Sequence, residues 1–104
     1  MSTKIKFELL ALLESISKVE LYSQDFVEAE DFYHDQKSFD ASMMQFVVIG
    51  EVISRLDDNF KISHDEIPWQ KIKDFGIDAD EIWDIMQNKL LPLKSSIQTL
   101  VDAI

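Results

Sequence analysis

The near absence of helix breakers is the feature that most constrains the fold of this chain. Only two glycines and two prolines occur in 104 residues, and no Asn-Gly or Asp-Gly pair is present. Those residues form the tight turns that join antiparallel strands, so a β-sheet would have little to connect it. The sequence therefore predicts an all-α fold.

Apolar residues in the first segment recur at alternating spacings of four and three, which places them on one face of a helix. They are Ile5, Leu9, Leu12, Ile16 and Val19. We expect a helix from about Thr3 to Ser23.

A short aromatic segment follows this helix. Asp25 and Glu28 have the spacing of a capping box, which indicates a short helix or turn carrying the aromatic residues Phe32 and Tyr33. The polar stretch 34–37 then links it to the next helix.

A second long helix is expected from Ser38 or Phe39 to about Asp57, with Ser38 as the N-cap candidate. Its apolar face is wide and includes Gly50. Because glycine in a helix interior is unfavourable by about 1 kcal/mol against alanine, Gly50 indicates close approach by a neighbouring backbone.

The last third of the chain is predicted to hold a loop at 61–64, a short helix opened by Pro68, and a final helix from Asp78 to the end. Pro92 should kink or restart that final helix, and its apolar stripe runs as far as Ile104. Together the segments predict one domain over residues 1–104, an up-and-down bundle of four to five helices.

Composition restricts the function. Twenty acidic against ten basic residues give a formal charge of -10, so long-range electrostatics disfavour a nonspecific nucleic-acid clamp. The lack of cysteine excludes disulfides and thiolate zinc sites, and two isolated histidines make a poor metal cluster. No apolar run is long enough for a membrane span and the first residues do not resemble a signal peptide, so we expect a soluble cytoplasmic protein without a cofactor.

The residues capable of chemistry do not form a recognisable catalytic set. His34 and His64 are expected at the surface or in caps, and Arg55, the only arginine, in an ion pair within its helix. Trp69 and Trp83 have the helical spacing of core residues. The acidic residues between 28 and 35 are expected to be a solvated face.

A series of short motifs resembles one protein family. Individually each is weak, but they occur in a specific order over nearly the full chain, and Ile-Gly-Glu and Ile-Pro-Trp are the most specific. The motifs are Tyr33-His34-Asp35, Phe39-Asp40-Ala41, Ile49-Gly50-Glu51, Ile67-Pro68-Trp69, Gly76-Ile77-Asp78, Ile82-Trp83 and Leu91-Pro92-Leu93. The chain resembles the HepT-like branch of the HEPN superfamily.

This resemblance implies a metal-independent endoribonuclease that acts as a homodimer on RNA and is the toxin of a toxin-antitoxin pair. It also implies a minimal nucleotidyltransferase as antitoxin, which modifies a tyrosine near the active site. In the family an Arg-x4-His-x-Tyr segment follows the Ile-Pro-Trp helix. Its cation can hold the phosphate while its imidazole moves a proton.

The chain departs from the family at this segment. Phe75 runs directly into Gly76, so roughly nine residues that carry the Arg, His and Tyr of the motif are absent. No catalytic residue can be assigned, and Tyr22 and Tyr33 are too remote in sequence to replace the modified tyrosine. We expect the chain as written to be inactive.

Three explanations of the absence are open: natural loss, an engineered deletion, or a sequence closed over unresolved residues. The family character of both flanks favours the last two. The alternative function is a noncatalytic helical module that binds a nucleotidyltransferase. The large apolar residues of the second and last helices further predict a two-fold symmetric dimer.

Overall fold

The computed structural model describes residues 2–103, and this part of the chain is helical and contains no strand. Its seven α-helices are α1 (Thr3–Ser23), α2 (Ala29–His34), α3 (Gln36–Arg55), α4 (Asp58–Ser63), α5 (Trp69–Lys73), α6 (Ile82–Asn88) and α7 (Leu90–Asp102), and a single 3-10 turn (Ala79–Glu81) precedes α6. The predicted all-α bundle is confirmed. Ile104, the last residue of the predicted apolar stripe, lies outside the described residues.

The first long helix has the predicted bounds. Ser2 caps it, since the backbone N–H of Ile5 donates to the Ser2 hydroxyl at 3.2 Å. The residues predicted for its apolar face lie in the core, except Ile5, which is only half-buried at the edge. Leu9, Leu12, Ile16 and Val19 are fully buried.

The two predicted caps in the middle of the chain are wrong. The chain is still turning at Phe26, whose N–H donates to the Ser23 carbonyl at 3.1 Å, so Asp25 opens no helix and α2 begins only after Glu28. The second long helix begins at Gln36, because the Asp35 carboxylate accepts from the N–H of Ser38 at 3.0 Å. Ser38 therefore lies inside the helix, and the expected polar link 34–37 is divided between the end of α2, the Asp35 cap and the first turn of α3.

The predicted loop at 61–64 is also wrong, because α4 occupies most of it. The Asp57 carboxylate caps α4 by accepting from the Phe60 N–H at 3.0 Å. Phe60 is buried, and the Lys61 ammonium donates to the Ile53 carbonyl at 3.1 Å. A helix of six residues is too short to show a clear apolar period.

The final predicted helix is divided, as expected from Pro92. The first part, α6, ends at Asn88, and α7 begins at Leu90 with Pro92 in its first turn. Proline has no N–H, and its ring conflicts with the carbonyl four residues earlier, which here belongs to Asn88. The break between α6 and α7 therefore follows from the presence of Pro92.

The core is centred on α1, which packs on α3 and α7. Lys4 of α1 and Arg55 of α3 line one cleft, so these helices are antiparallel. The Lys94 ammonium of α7 donates to Glu20 of α1 at 2.9 Å, which indicates an antiparallel arrangement for this pair too. Among residues 2–103, no helix combines the length and apolar character needed to cross a membrane.

The prediction of close backbone approach at Gly50 is confirmed. A Cβ atom at this position would lie 3.3 Å from the carbonyl oxygen of Lys73, the last residue of α5. The space beside Gly50 is thus filled by backbone, which cannot rotate away as a side chain could.

We expect Gly50→Leu to lower the free energy of unfolding by about 2 kcal/mol, because the side chain must push α5 away from α3. Urea denaturation measures this change. Glu51→Leu is the matched control: Glu51 is exposed on the same helix, so its effect should stay within about 0.5 kcal/mol. Equal effects of the two substitutions would contradict the contact.

Candidate active-site region at the Phe75 and Gly76 junction

The helix that leads to the junction is held by its aromatic residue. Trp69 is buried at the start of α5, and its indole N–H donates to the carbonyl of His64 at 3.1 Å. Its ring lies 6.1 Å from that of Phe60. Ile72, one turn later, is also buried, so α5 presents the predicted inner face to the core.

The junction itself is a turn on the surface of α3. The N–H of Phe75 donates to the carbonyl of Ile72, and the N–H of Ile77 donates to that of Asp74, both at 3.1 Å. Phe75 is buried, and a Cβ atom on Gly76 would lie only 3.2 Å from the Cβ of Phe46 in α3. The turn therefore lies directly against the core helix.

Two clefts flank this turn and share Lys71, Phe75 and Lys89. The first, which we call the lysine cleft, has a volume of about 310 Å³ and lies between α5 and the α6–α7 segment. Its floor is apolar and includes Ile72 and Leu93. The second, the acidic cleft, has a volume of about 250 Å³ and lies between α5 and α6.

The two clefts differ in charge. Lys71 and Lys89 are the only charged residues that line the lysine cleft, whereas the acidic cleft combines the same two lysines with Asp74, Asp78 and Glu81. Lys89 lies 3.9 Å from the carboxylate of Asp84, but both side chains are substantially exposed, so this ion pair is weak. The lysine cleft thus holds two ammonium groups that also border the carboxylates of the acidic cleft.

The residues considered for catalysis do not meet at the junction. His34 is exposed at the end of α2, and His64 is half-buried against the ring of Phe60, with Nδ1 3.5 Å from Glu66. Arg55 is exposed in the last turn of α3 and has no ion pair within residues 2–103, so the predicted intrahelical pair is wrong. Instead, Asp57 caps α4 and Asp58 lies in the first turn of that helix.

Both tryptophans pack against other side chains of the bundle, as predicted. Trp69 is buried, and Trp83 is half-buried with its ring 5.8 Å from that of Phe32. Trp69 is therefore part of the core, and Trp83 packs at its edge.

Sequence reasoning missed the role of Tyr33. Its hydroxyl accepts from the backbone N–H of Trp83 at 3.0 Å, so a side chain of α2 satisfies an otherwise free N–H in the first turn of α6. The partners are 50 residues apart in sequence, and no local pattern indicates such a bond. The hydroxyl therefore fixes the start of the helix that follows the junction.

Comparison with known proteins identifies the scaffold. The family model described as "Ribonuclease HepT-like" matches residues 12–100. The chain belongs to the HepT-like ribonuclease family. The helical bundle is accordingly of the HEPN type. No solved structure matches the chain significantly.

Three curated relatives share this similarity. "Gamma-glutamylcyclotransferase and putative RNase" of Methanocaldococcus jannaschii is 29% identical over 111 residues, covering 98% of this chain and 50% of that protein. "Probable ribonuclease HepT" of Thermococcus cleftensis is 28% identical over 98 residues, covering 86% and 88%. A second M. jannaschii protein, "Putative RNase", is 29% identical over 88 residues, covering 76% and 72%. The chain thus spans half of the first relative and most of the other two.

Each of these alignments is longer than the part of this chain that it covers. For the first relative, 98% of 104 residues is about 102, which is about nine fewer than the 111 aligned. For each of the other two relatives, the alignment is also about nine positions longer than the part of this chain that it covers. Each of the three relatives therefore carries about nine positions that have no counterpart in this chain.

We expect Tyr33→Phe to lower the free energy of unfolding by about 1 kcal/mol, since it leaves the half-buried N–H of Trp83 without its acceptor. Thermal unfolding followed by circular dichroism measures the change. Tyr22→Phe is the control, because the Tyr22 hydroxyl makes no hydrogen bond within the described residues. Equal stability of the Tyr33→Phe variant and the parent would contradict the assigned role.

Proposed function

We propose that this chain is the scaffold of a homodimeric, metal-independent endoribonuclease that serves as a toxin, and that the chain as written does not cleave RNA. Membership of the HepT-like family supports the ribonuclease assignment, as do the names of the three relatives. The toxin role, the homodimer and a nucleotidyltransferase antitoxin follow from the family resemblance. A cytoplasmic location belongs to the same proposal.

The proposal that this chain is inactive rests on the residues that line the two junction clefts. RNA cleavage of the family's kind needs an imidazole to move the proton of a 2'-hydroxyl and a guanidinium to hold the phosphate. The two junction clefts contain lysines and carboxylates but neither histidine nor arginine. His34, His64 and Arg55 belong to other parts of the described surface. The scaffold thus lacks the pair that the chemistry requires.

The unmatched positions in the alignments support the loss of about nine residues, and the break in the family motif favours the Phe75 and Gly76 junction as the place of the loss. Nine helical residues would extend α5 by about 13 Å, which changes a helix of five residues into one of ordinary length. A segment inserted between Phe75 and Gly76 begins between the two clefts, beside Lys71 and Lys89. The lysines would then lie near any phosphate that the segment binds.

The tyrosines of this chain do not fit the site of antitoxin modification. The Tyr33 hydroxyl already accepts a hydrogen bond that fixes α6, and Tyr22 lies near the end of α1, away from the junction in sequence. We therefore propose that the modified tyrosine belongs to the absent segment. A nucleotidyltransferase can still bind the scaffold but has no target tyrosine at the junction.

We expect that insertion of the corresponding nine residues of the Thermococcus cleftensis relative between Phe75 and Gly76 gives RNA cleavage in the presence of EDTA. The parent chain should show none above background, because it lacks the imidazole and guanidinium. A fluorescence-quenched single-stranded RNA measures the rate. The control insertion has alanine at the Arg and His positions and should be as inactive as the parent.

Two outcomes would contradict the proposal. Cleavage by the parent chain would show that catalysis does not need the segment. Failure of the folded insertion variant to cut any RNA, combined with harmless expression in cells, would favour the alternative of a noncatalytic module that binds a nucleotidyltransferase.

A further inference from the structure

Another cleft lies between the start of α1 and the end of α3, and we call it the α1–α3 cleft. Its volume is about 450 Å³. Lys4 and Glu8, one turn apart on α1, form one side, and Arg55 in the last turn of α3 lies on the other, with Asp57 just beyond it. This cleft shares no lining residue with the two junction clefts.

Glu8 has an unsatisfied carboxylate in this cleft. Its Oε1 atom is buried and receives no hydrogen bond from any residue in 2–103. Lys4 lies four residues earlier, a spacing at which helical ion pairs form, but the two side chains make no ion pair. Because a partly buried charge without a partner is unfavourable, a positively charged ligand group bound at this carboxylate would be stabilised.

Arg55 offers the opposite charge. Its guanidinium is exposed and, in the part of the chain that the structure describes, has no carboxylate partner. Asp57, the nearest carboxylate in sequence, already accepts from the N–H of Phe60 to cap α4. A guanidinium binds a carboxylate through two parallel hydrogen bonds, so Arg55 can hold a carboxylate that a ligand brings.

The balance of charge restricts the ligand further. The cleft is lined by two cations, Lys4 and Arg55, and two carboxylates, Glu8 and Asp57, so its own charge sums to zero. A ligand of net negative charge is repelled by a chain of charge -10, and one of net positive charge meets the two cations. Ile5 is the only apolar lining residue, which favours a small polar ligand that carries one charge of each sign.

We propose that the α1–α3 cleft binds a small zwitterion, with its ammonium group at Glu8 and its carboxylate at Arg55. This is the chemistry of a free amino acid and equally of a dipeptide, whose two charges are farther apart. The cleft volume lies within the range of small-molecule sites. The inference is independent of the ribonuclease proposal, because the two sites have no residue in common.

The first test titrates the isotope-labelled parent chain with glycine and with diglycine, followed by heteronuclear NMR. At least one of them should cause saturable shifts of the amide signals at the start of α1 and the end of α3, with a dissociation constant on the order of 1 mM. Acetate and methylamine each carry only one of the two charges and should bind at least ten-fold more weakly. The preference between glycine and diglycine identifies which kind of zwitterion the cleft takes.

The second test removes each charge of the site separately. Glu8→Gln and Arg55→Gln should each weaken binding of the preferred zwitterion at least ten-fold. Glu14→Gln and Lys18→Gln are the matched controls, because they change the net charge of the chain by the same amounts but alter an exposed ion pair of α1 that does not line the cleft. Both controls should stay within about two-fold of the parent. Circular dichroism melts show whether each variant is folded.

Three results would overturn the inference. The first is the absence of saturable shifts with either zwitterion at roughly ten times the expected dissociation constant. The second is binding of acetate as tight as that of glycine and diglycine, which would indicate a site for anions alone. The third is an equal loss of binding in the folded control variants, which would indicate an effect of net charge. None of these results bears on RNA cleavage, which the inserted segment tests separately.

Discussion

The contact between the backbones of α3 and α5 determines the position of the turn at Phe75 and Gly76. Gly50 lets the carbonyl of Lys73 approach α3, and Gly76, three residues after the end of α5, lies against Phe46. Both contacts involve main-chain atoms or the first carbon of a side chain, so neither can adjust by a change of rotamer. Because core packing is dense, the junction has one position relative to α3.

A net charge is a poor guide to the chemistry of a small region. The total of -10 describes the potential far from the molecule, but screening limits the reach of a charge to about 8 Å at physiological ionic strength. Within that distance, Lys71 and Lys89 are the nearest charges to anything in the lysine cleft. The local balance of charge at this cleft is therefore set by these two ammonium groups and by neighbouring carboxylates such as Asp84, 3.9 Å from Lys89.

The elements that could be predicted from sequence are those whose signal is local and repeated. The bounds of α1 follow from five apolar residues at regular spacing, and the restart at Leu90 follows from the chemistry of Pro92. The start of α3 was misplaced because Asp35 and Ser38 are both good caps, and only the conformation of the chain decides between them. The short helix α4 depends on burial of Phe60, which is a tertiary effect.

The same distinction applies to the candidate site. Its flanks could be recognised from short motifs such as Ile67-Pro68-Trp69, and the break in the motif could be seen in the sequence itself. The two clefts could not be predicted, since Lys71 and Lys89 come together only when α5 packs beside the α6–α7 segment. The bond from Trp83 to Tyr33 joins distant residues and has no sequence signature.

That bond has a consequence for how this scaffold can change over time. The start of α6 is fixed from α2, and α5 is fixed from α3, so the two ends of the connection between them are held independently of the connection. Lengthening a loop between fixed ends is inexpensive, about 0.6 kcal/mol for each doubling of its length. Residues can thus be gained or lost at Phe75 and Gly76 while the bundle persists, which lets a lineage acquire or discard an activity without having to evolve a new fold.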